Sequence, residues 1–242
     1  MALMSVLLIF VHDLFTQINY FNIKHIDIKG LYYLSEEDIM KQAGIAKGNN
    51  ILGINLNLVR KKLLVHPWIE KVQVSRKFPD GIMIDITEYQ PEAIAKIRDK
   101  QYLLSRKGVI FKSLADPDPT NLPIVTGLSY SDIPVANLSA SAQFEAVRKV
   151  LKMGRSSMAL IPANKIQEIQ MDSELGLTLK VIEPSLLIQI GYEYYPEKYQ
   201  NLRRVLEYFK KENEQIQVSE IDLSDLNQIV VTPAISKKSH QS

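Results

Sequence analysis

Residues 72–86 read VQVSRKFPDGIMIDI, and this stretch decides the fold of the first part of the chain. Apolar residues alternate with polar ones on both sides of its centre, at Val72, Val74, Ile82, Ile84 and Ile86. Such alternation is typical of strands with one buried face. The centre, Phe78-Pro79-Asp80-Gly81, is made of turn-forming residues. The stretch therefore predicts a β-hairpin.

Two helices and a further strand are predicted before this hairpin. Ser35 is followed by Glu36-Glu37-Asp38, and this order is typical of a helix start, because serine caps free amides and acids oppose the helix dipole. A second helix is predicted over about 55–65, with the basic trio Arg60-Lys61-Lys62 facing away from its apolar stripe. The run from Ile23 to Gly30 predicts the first strand. The order is β-α-α-β-β, and two helices can then cover one face of a three-stranded sheet.

The second half is richer in strands. Short strands are predicted around 93–111, a hairpin over 175–190, and helices over about 140–153 and 197–211. A strand opening at Ile221 precedes a last short strand, Gln228 to Thr232. The expected fold class is α+β, with a mixed or antiparallel β domain and flanking helices. The polar tail, 234–242, is expected to be disordered.

Composition excludes several classes of protein. The 242 residues carry 29 Lys and Arg against 27 Asp and Glu, a net charge of +2. Such a balance argues against a polybasic nucleic-acid binder. Since the chain has no cysteine, it has no disulfide, no thiolate nucleophile and no cysteine metal site.

The amino terminus carries one apolar run, Ala2 to Val11, which ends at His12 and Asp13. Ten helical residues cover about 15 Å, roughly half of a bilayer core. Two interpretations stay open: part of a transmembrane helix, or a short apolar helix that packs on the protein. We expect residues 1–11 to be the remnant of a membrane anchor and 12–21 a juxtamembrane linker.

No catalytic chemistry is evident in the sequence. The four histidines are His12, His25, His66 and His240, far apart and without ligand spacing, and they are expected to be surface or structural residues. Neither a nucleophile elbow nor a phosphate loop is present. We therefore expect no enzyme, no cofactor and no metal. Four tyrosines, Tyr192, Tyr194, Tyr195 and Tyr199, fit either an interface or a core.

The order of short motifs along the chain resembles the FtsQ/DivIB family of bacterial cell division proteins, which carry a POTRA domain. In the first part these motifs are Ile26-Asp27-Ile28-Lys29-Gly30, Gly48-Asn49-Asn50-Ile51-Leu52, His66-Pro67-Trp68-Ile69 with Lys71-Val72-Gln73-Val74, Arg76-Lys77-Phe78-Pro79-Asp80 and Glu88-Tyr89-Gln90-Pro91. In the second part they are Ser105-Arg106-Lys107-Gly108-Val109-Ile110-Phe111, Leu122-Pro123-Ile124-Val125-Thr126-Gly127, Ile221-Asp222-Leu223 and Asn227-Gln228-Ile229-Val230-Val231-Thr232-Pro233. Each motif is weak alone, whereas their order and spacing together are specific.

The resemblance implies a POTRA domain over 22–91 and an FtsQ-type β domain over 92–233. It also implies a single-pass inner-membrane protein with most of its mass in the periplasm, which favours the membrane anchor. The implied role is a non-enzymatic divisome scaffold that binds FtsB and FtsL and helps control septal peptidoglycan synthesis by FtsW and FtsI. In some bacteria the POTRA domain is implicated in recruitment through FtsK.

The resemblance further implies that FtsB pairs with the terminal strand and touches the preceding helix. By position, the candidate partner-binding residues are Gln228, Ile229, Val230, Val231 and Thr232, with Tyr199, Leu202 and Arg203 on the helix. A strand at a sheet edge offers free backbone groups to such a partner. If the amide of Val230 points outward, Val230→Pro is expected to abolish binding. Ser224 and Asp225 stand where relatives often carry an Arg and a Tyr, so side-chain contacts there are not expected.

Two alternative functions stay open. One is a POTRA-bearing component of an outer-membrane secretion system, and the other is an extracytoplasmic cell-wall enzyme. Converging carboxylates in a cleft would favour the enzyme, and a bare apolar edge strand would favour the binding protein.

Overall fold

Two separate sheets organise the chain. The structure is a computed structural model that describes residues 19–133, 140–156, 159–182, 184–211 and 218–234. It divides into two compact units, with the division between Gln90 and Pro91. Both units mix helices and strands, so the predicted α+β class is confirmed.

The first unit has the predicted β-α-α-β-β order. After a 3-10 turn, Asn19–Phe21, its elements are β1 (His25–Lys29), α1 (Glu36–Ala43), α2 (Leu56–Leu64), β2 (Ile69–Lys77) and β3 (Gly81–Glu88). Its sheet has the order β1-β3-β2, with β1 parallel to β3. β2 and β3 form the antiparallel hairpin that the alternation predicts.

Side-chain caps fix the helices of this unit. The hydroxyl of Ser35 accepts a hydrogen bond from the N–H of Asp38 at 3.1 Å, as predicted for α1. The side chain of Asn55 does the same for the N–H of Leu58 in α2. The helices bury Ile39 and Leu63 against the sheet, because apolar residues at these spacings share one helix face.

Glu88, at the end of β3, fastens the loop between β1 and α1. Its carboxylate is almost fully buried and accepts three backbone hydrogen bonds, from the N–H groups of Tyr32 (3.1 Å), Tyr33 (2.8 Å) and Leu34 (3.1 Å). Tyr33 then stacks on Trp68, with 4.2 Å between the ring centroids. Trp68 is buried, as predicted for core or turn packing.

The second unit is one sheet of nine strands with two helices. Its strands are β4 (Pro91–Ile97), β5 (Lys100–Ser105), β6 (Ile110–Ser113), β7 (Ile124–Thr126), β8 (Ile166–Asp172), β9 (Gly176–Val181), β10 (Leu186–Gly191), β11 (Val218–Asp222) and β12 (Val230–Pro233). Its helices are α3 (Ala142–Gly154) and α4 (Tyr195–Lys211), and 3-10 turns lie at Tyr130–Asp132 and Ala163–Lys165. The strand order is β12-β11-β10-β9-β8-β7-β4-β5-β6.

The core of the second unit lies on one face of this sheet. Leu179, Ile188 and Ile221 are adjacent in the sheet register and fully buried with residues of α3 and α4. Residues of the opposite face, such as Lys180 and Leu187, are exposed. The helices therefore cover one face of the sheet, and the other face is open near β12.

Two strands, β7 and β8, were not predicted from the sequence, and two other elements begin at residues that differ from the predicted ones. β7 has only three residues, and a register shift between Ile166 and Glu168 interrupts the alternation of β8. α4 begins at Tyr195 rather than at about 197, and the last strand is Val230–Pro233 rather than Gln228 to Thr232.

Several predictions for the termini fall outside the described residues: the anchor helix over Ala2 to Val11, most of the linker over 12–21, and the tail after Ala234. The end of that linker, Asn19–Phe21, forms the 3-10 turn given above. In the parts of the chain that the structure describes, no helix combines the length and apolar content needed to cross a membrane.

Candidate partner-binding edge

β12 is the terminal strand of the nine-stranded sheet. It pairs antiparallel with β11, with Val230 opposite Asp222, Val231 opposite Ile221 and Thr232 opposite Glu220. Within the described residues no strand pairs with its other side. That side is the candidate site, and a terminal strand presents free N–H and C=O groups there.

The direction of the backbone groups follows from the pairing of β11 with β10. The N–H of Leu223 donates to the carbonyl of Gln189 in β10 at 2.8 Å. Successive residues of a strand point their backbone groups to opposite sides. The backbone groups of Ile221, two residues before Leu223, therefore also point to β10, whereas those of Asp222 point to β12. Val230, opposite Asp222, therefore turns its backbone groups inward to β11.

Val231 consequently turns its N–H and C=O toward the open side, and Thr232 turns inward like Val230. The condition set for Val230→Pro, that the amide of Val230 points outward, is therefore not met. Pro233 follows and has no N–H to offer. Val231 is thus the residue of β12 that presents both a donor and an acceptor to the open side.

The side chains of this segment divide between the two faces of the sheet. Val230 is 48% exposed and Thr232 is also exposed, on the face without helices. Ile229 packs against the core, and Val231 is half-buried. Gln228 is exposed but, like Ile229, precedes the strand. The structure thus places three of the five predicted residues in the edge strand, with Gln228 and Ile229 in the approach to it.

The turn before β12 is held by its own side chains and by α4. The N–H groups of Ser224 and Asn227 donate to the carboxylates of Asp222 and Asp225, both at 2.8 Å. The amide of Asn201 in α4 donates to the carbonyl of Leu226 at 3.3 Å. The second of these Asx turns explains why an aspartate occupies position 225.

Lys198 fastens the start of α4 to the end of β10. Its ammonium group is buried and donates to the carbonyls of Ile190 (2.8 Å) and Tyr192 (2.7 Å). Burial lowers the pKa of this lysine, and the nearby carboxylates of Asp222 and Asp225 oppose that shift. The burial of Lys198 is not predictable from the sequence, because a lysine on a helix is usually solvated.

The four tyrosines near this point do not form one surface. Tyr192 and Tyr194 are exposed, whereas Tyr195 and Tyr199 are buried in the core. The core interpretation is confirmed for Tyr195 and Tyr199, and the interface interpretation stays a prediction for Tyr192 and Tyr194.

The three predicted helix residues do not share one surface. Leu202 is fully buried in the core, so its side chain cannot reach a partner in this structure. Tyr199 and Arg203 line a groove with Met153 and Leu160, beside α3. Burial raises the pKa of Tyr199 to about 12, and its hydroxyl has no hydrogen-bond partner within the described residues.

The side of α4 that faces the turn before β12 carries Asn201 instead. Asn201 and Tyr199 are two residues apart, which places them about 160° apart around the helix. Tyr208 lies seven residues after Asn201 and shares its side, with 59% of its surface exposed. The spacing of Asn201 and Tyr208 is a signal that helix periodicity could have given.

No chemistry beyond binding is apparent at this edge. In the described parts of the chain, no three His, Cys, Asp or Glu residues are grouped so that they could hold a metal ion. His25 is exposed at the start of β1, and the ring of His66 accepts a hydrogen bond from the N–H of Trp68 at 3.3 Å. His12 and His240 lie outside the described residues.

The fold defines a class: a small unit of POTRA topology followed by a mixed sheet with an open terminal strand. The family model described as "POTRA domain, FtsQ-type" matches residues 21–89. The model described as "Cell division protein FtsQ/DivIB, C-terminal" matches residues 93–224. The chain belongs to the FtsQ/DivIB family of cell division proteins. This membership supersedes the secretion-system alternative. The second match ends before β12.

Named relatives are similar over most of their length. The chain is 29% identical to cell division protein FtsQ of Geobacter sp. (strain M21), over 91% of this chain and 79% of that protein. It is 27% identical to cell division protein FtsQ of Geotalea daltonii, over 88% and 76%. It is 24% identical to cell division protein DivIB of Clostridium acetobutylicum, over 71% and 68%. These relatives support a role in cell division.

Proposed function

We propose that this chain is a non-enzymatic scaffold of the divisome that binds FtsB and FtsL by strand addition to β12. Family membership supports the role in division. The observation that carries the binding mode is the outward N–H and C=O of Val231 at the open edge. A partner strand placed there would become a tenth strand of the sheet.

The proposed interface is short and has a defined register. Ladder hydrogen bonds to Val231 would each contribute about 1 kcal/mol. The partner side chain beside Val230 would lie on the open face, and the one beside Val231 on the face that carries α4. Because Pro233 offers no donor, the ladder would weaken after Val231. Asn201 and Tyr208, on the near side of α4, would receive whatever part of the partner follows that strand.

The remaining elements of the proposal concern the membrane and the other partners. The run Ala2 to Val11 would anchor the chain in the inner membrane, with both described units in the periplasm at the septum. The complex with FtsB and FtsL would act on septal synthesis by FtsW and FtsI. The first unit would serve recruitment, through FtsK in some bacteria.

The test is calorimetric titration of the full chain, in detergent micelles, with the extracytoplasmic segment of the cognate FtsB, alone and in complex with FtsL. Hydrogen exchange of the complex is the second measurement. Saturable binding should slow the exchange of the Val231 amide, because that N–H gains a partner. The amide of Val230, already directed to β11, should change much less and serves as the internal control.

Two results would count against the proposal. Absence of binding in both formats, with the chain folded, would reject the FtsB/FtsL assignment and reopen the cell-wall enzyme. Binding that leaves the exchange of Val231 unchanged would reject strand addition and place the partner elsewhere.

A further inference from the structure

The outer stripe of α2 in the first unit is unusually apolar. Leu58, Lys61 and Val65 recur at i, i+3 and i+7, so they lie in one row on the helix and its final turn. Leu58 is 51% exposed and Val65 is 78% exposed. The buried stripe, with Val59 and Leu63, lies on the other side. A helix face turned to water normally carries polar residues in its centre, and here two of the three are aliphatic.

The charge around this stripe has one sign. α2 contains no Asp or Glu, and Lys61 and Lys62 are both exposed. Arg60 is used within the fold, because its Nε donates to the carbonyl of Val72 at 3.2 Å. Aliphatic groups between lysines match an interface that is apolar below and anionic above, as in the headgroup layer of a membrane with anionic lipids. Lysine can extend to phosphate while the leucine and valine lie deeper.

α2 begins at the end of the first unit where the chain arrives from its amino terminus, and Val65 lies toward the opposite end, where β2 begins at Ile69 opposite Glu88. Asn22 forms a β-bridge with Asn50, and the N–H of Ile51 donates to the carbonyl of Phe21 at 2.9 Å. α2 begins six residues after Asn50 and is about 14 Å long. Tyr20 is exposed at the same end, and tyrosine is typical of the membrane interface.

The length of the preceding segment limits the distance to a bilayer. Ten residues, 12–21, separate Val11 from Asn22 and can span at most about 35 Å. This step rests on the proposed membrane anchor at Ala2 to Val11. With that anchor in place, the start of α2 would be held close enough to the bilayer for weak lipid contacts of this helix to be populated, because tethering raises the effective concentration.

We propose that the stripe of Leu58, Lys61 and Val65, with Lys62 beside it, rests on the surface of the membrane that holds the anchor. Leu58 and Val65 enter the boundary between headgroups and acyl chains, and the lysines contact lipid phosphates. The contact fixes the orientation of the first unit relative to the bilayer. It is distinct from the edge of β12, which belongs to the other unit.

The absence of cysteine allows a direct test. The full chain with Val65→Cys carries one thiol, which takes an environment-sensitive fluorophore, and is reconstituted into vesicles of phosphatidylethanolamine and phosphatidylglycerol. A second protein with Glu37→Cys, exposed on α1, is the matched control. We expect the label at 65 to report an apolar environment and the label at 37 to report water. In the Val65→Cys protein, Lys61→Glu with Lys62→Glu should reduce the fraction of label in the apolar environment at least about tenfold, since each lysine contributes about 1 kcal/mol to binding at an anionic membrane surface. Phosphatidylcholine vesicles should have a similar effect.

Co-sedimentation separates this inference from the anchor. If the chain sediments with vesicles while the label at 65 stays in water, the lipid contact is rejected and the anchor stands. If the chain does not sediment at all, the anchor is rejected and the inference falls with it. If FtsB and FtsL segments shield the label without vesicles, the stripe is a protein interface and the lipid contact is rejected.

Discussion

Ile221 and Val231 face each other across β11 and β12 without exchanging backbone hydrogen bonds, because Ile221 directs its backbone groups to β10. In an antiparallel pair such positions alternate with hydrogen-bonded ones. The pairing of β11 with β10 therefore determines which backbone groups of β12 point outward. As a result, the neighbouring residues Val230 and Val231 differ in the direction of their N–H and C=O groups. Val230 supports the sheet, whereas Val231 is open to a partner.

The first prediction distinguishes these two valines. Val231→Pro removes the outward donor and puts a ring in its place, so affinity for the FtsB segment should fall about fivefold or more. Calorimetric titration measures the loss, and circular dichroism checks that the fold is retained. Val230→Thr keeps every backbone group and should bind within twofold of the parent. Equal affinity of the Val231→Pro and parent proteins would show that the open edge is not the site.

The second prediction concerns the two sides of α4. Tyr199→Phe removes a buried hydroxyl that has no hydrogen-bond partner within the described residues, so the free energy of unfolding should rise by up to about 1 kcal/mol. Because Tyr199 lines a groove beside α3, on the side of α4 away from Asn201, affinity for FtsB should change by less than twofold.

On the other side of α4, Tyr208→Ala should lower affinity for FtsB by threefold or more, because an exposed tyrosine near an interface loses contact area when truncated. Titration of both variants under one set of conditions makes the comparison. A larger effect at Tyr199 than at Tyr208 would support the helix residues implied by the family resemblance against those implied by the geometry.

Local signals in the sequence were sufficient for most of the architecture. The hairpin around Pro79, the cap at Ser35 and the stripe of α2 each depend on residues close in the chain, and the structure has all three. β8 was missed because a register shift after Ile166 breaks its period of two. A strand that is irregular in this way is recognisable only from its neighbours in the sheet.

Local sequence signals predict less about the candidate site. That Val231 rather than Val230 faces outward depends on the bond between Leu223 and Gln189, which joins residues 34 positions apart. That Tyr199 and Arg203 line a groove beside α3 depends on where that helix packs. Neither fact is encoded in a local pattern, so the sequence proposes the segment but not which of its residues directs its backbone groups outward.

The third prediction concerns Gly30, at the end of β1. It has a φ of +84°, and an added Cβ would lie 1.9 Å from the carbonyl oxygen of Ile86. Gly30→Ala should therefore cost about 3 kcal/mol or more, from strain and overlap together. Gly48 has a φ of +90° with open space around it, so Gly48→Ala should cost about 1 kcal/mol. Trp68 is the single tryptophan and lies in this unit, so its fluorescence follows the unfolding. Equal losses would show that overlap with Ile86 does not matter.

The fourth prediction concerns the ion pair of Glu92 and Arg155, whose Oε1 and Nε lie 2.9 Å apart. Burial raises the pKa of Glu92, and Arg155 opposes that shift. Because the pKa of Glu92 is raised in the folded state, this carboxyl group keeps its proton to a higher pH when the protein is folded. The free energy of unfolding therefore falls as the pH rises from the pKa of the unfolded state toward that of the folded state. Arg155→Ala removes the opposing charge and should cost about 2 kcal/mol at pH 8 but under about 1 kcal/mol at pH 5. Urea unfolding followed by circular dichroism measures both values.

Arg155→Ala combined with Glu92→Gln is the control and should lose the same amount at both pH values, since no carboxyl group remains to titrate. A pH-independent cost of Arg155→Ala alone would show that Glu92 is not the group responsible.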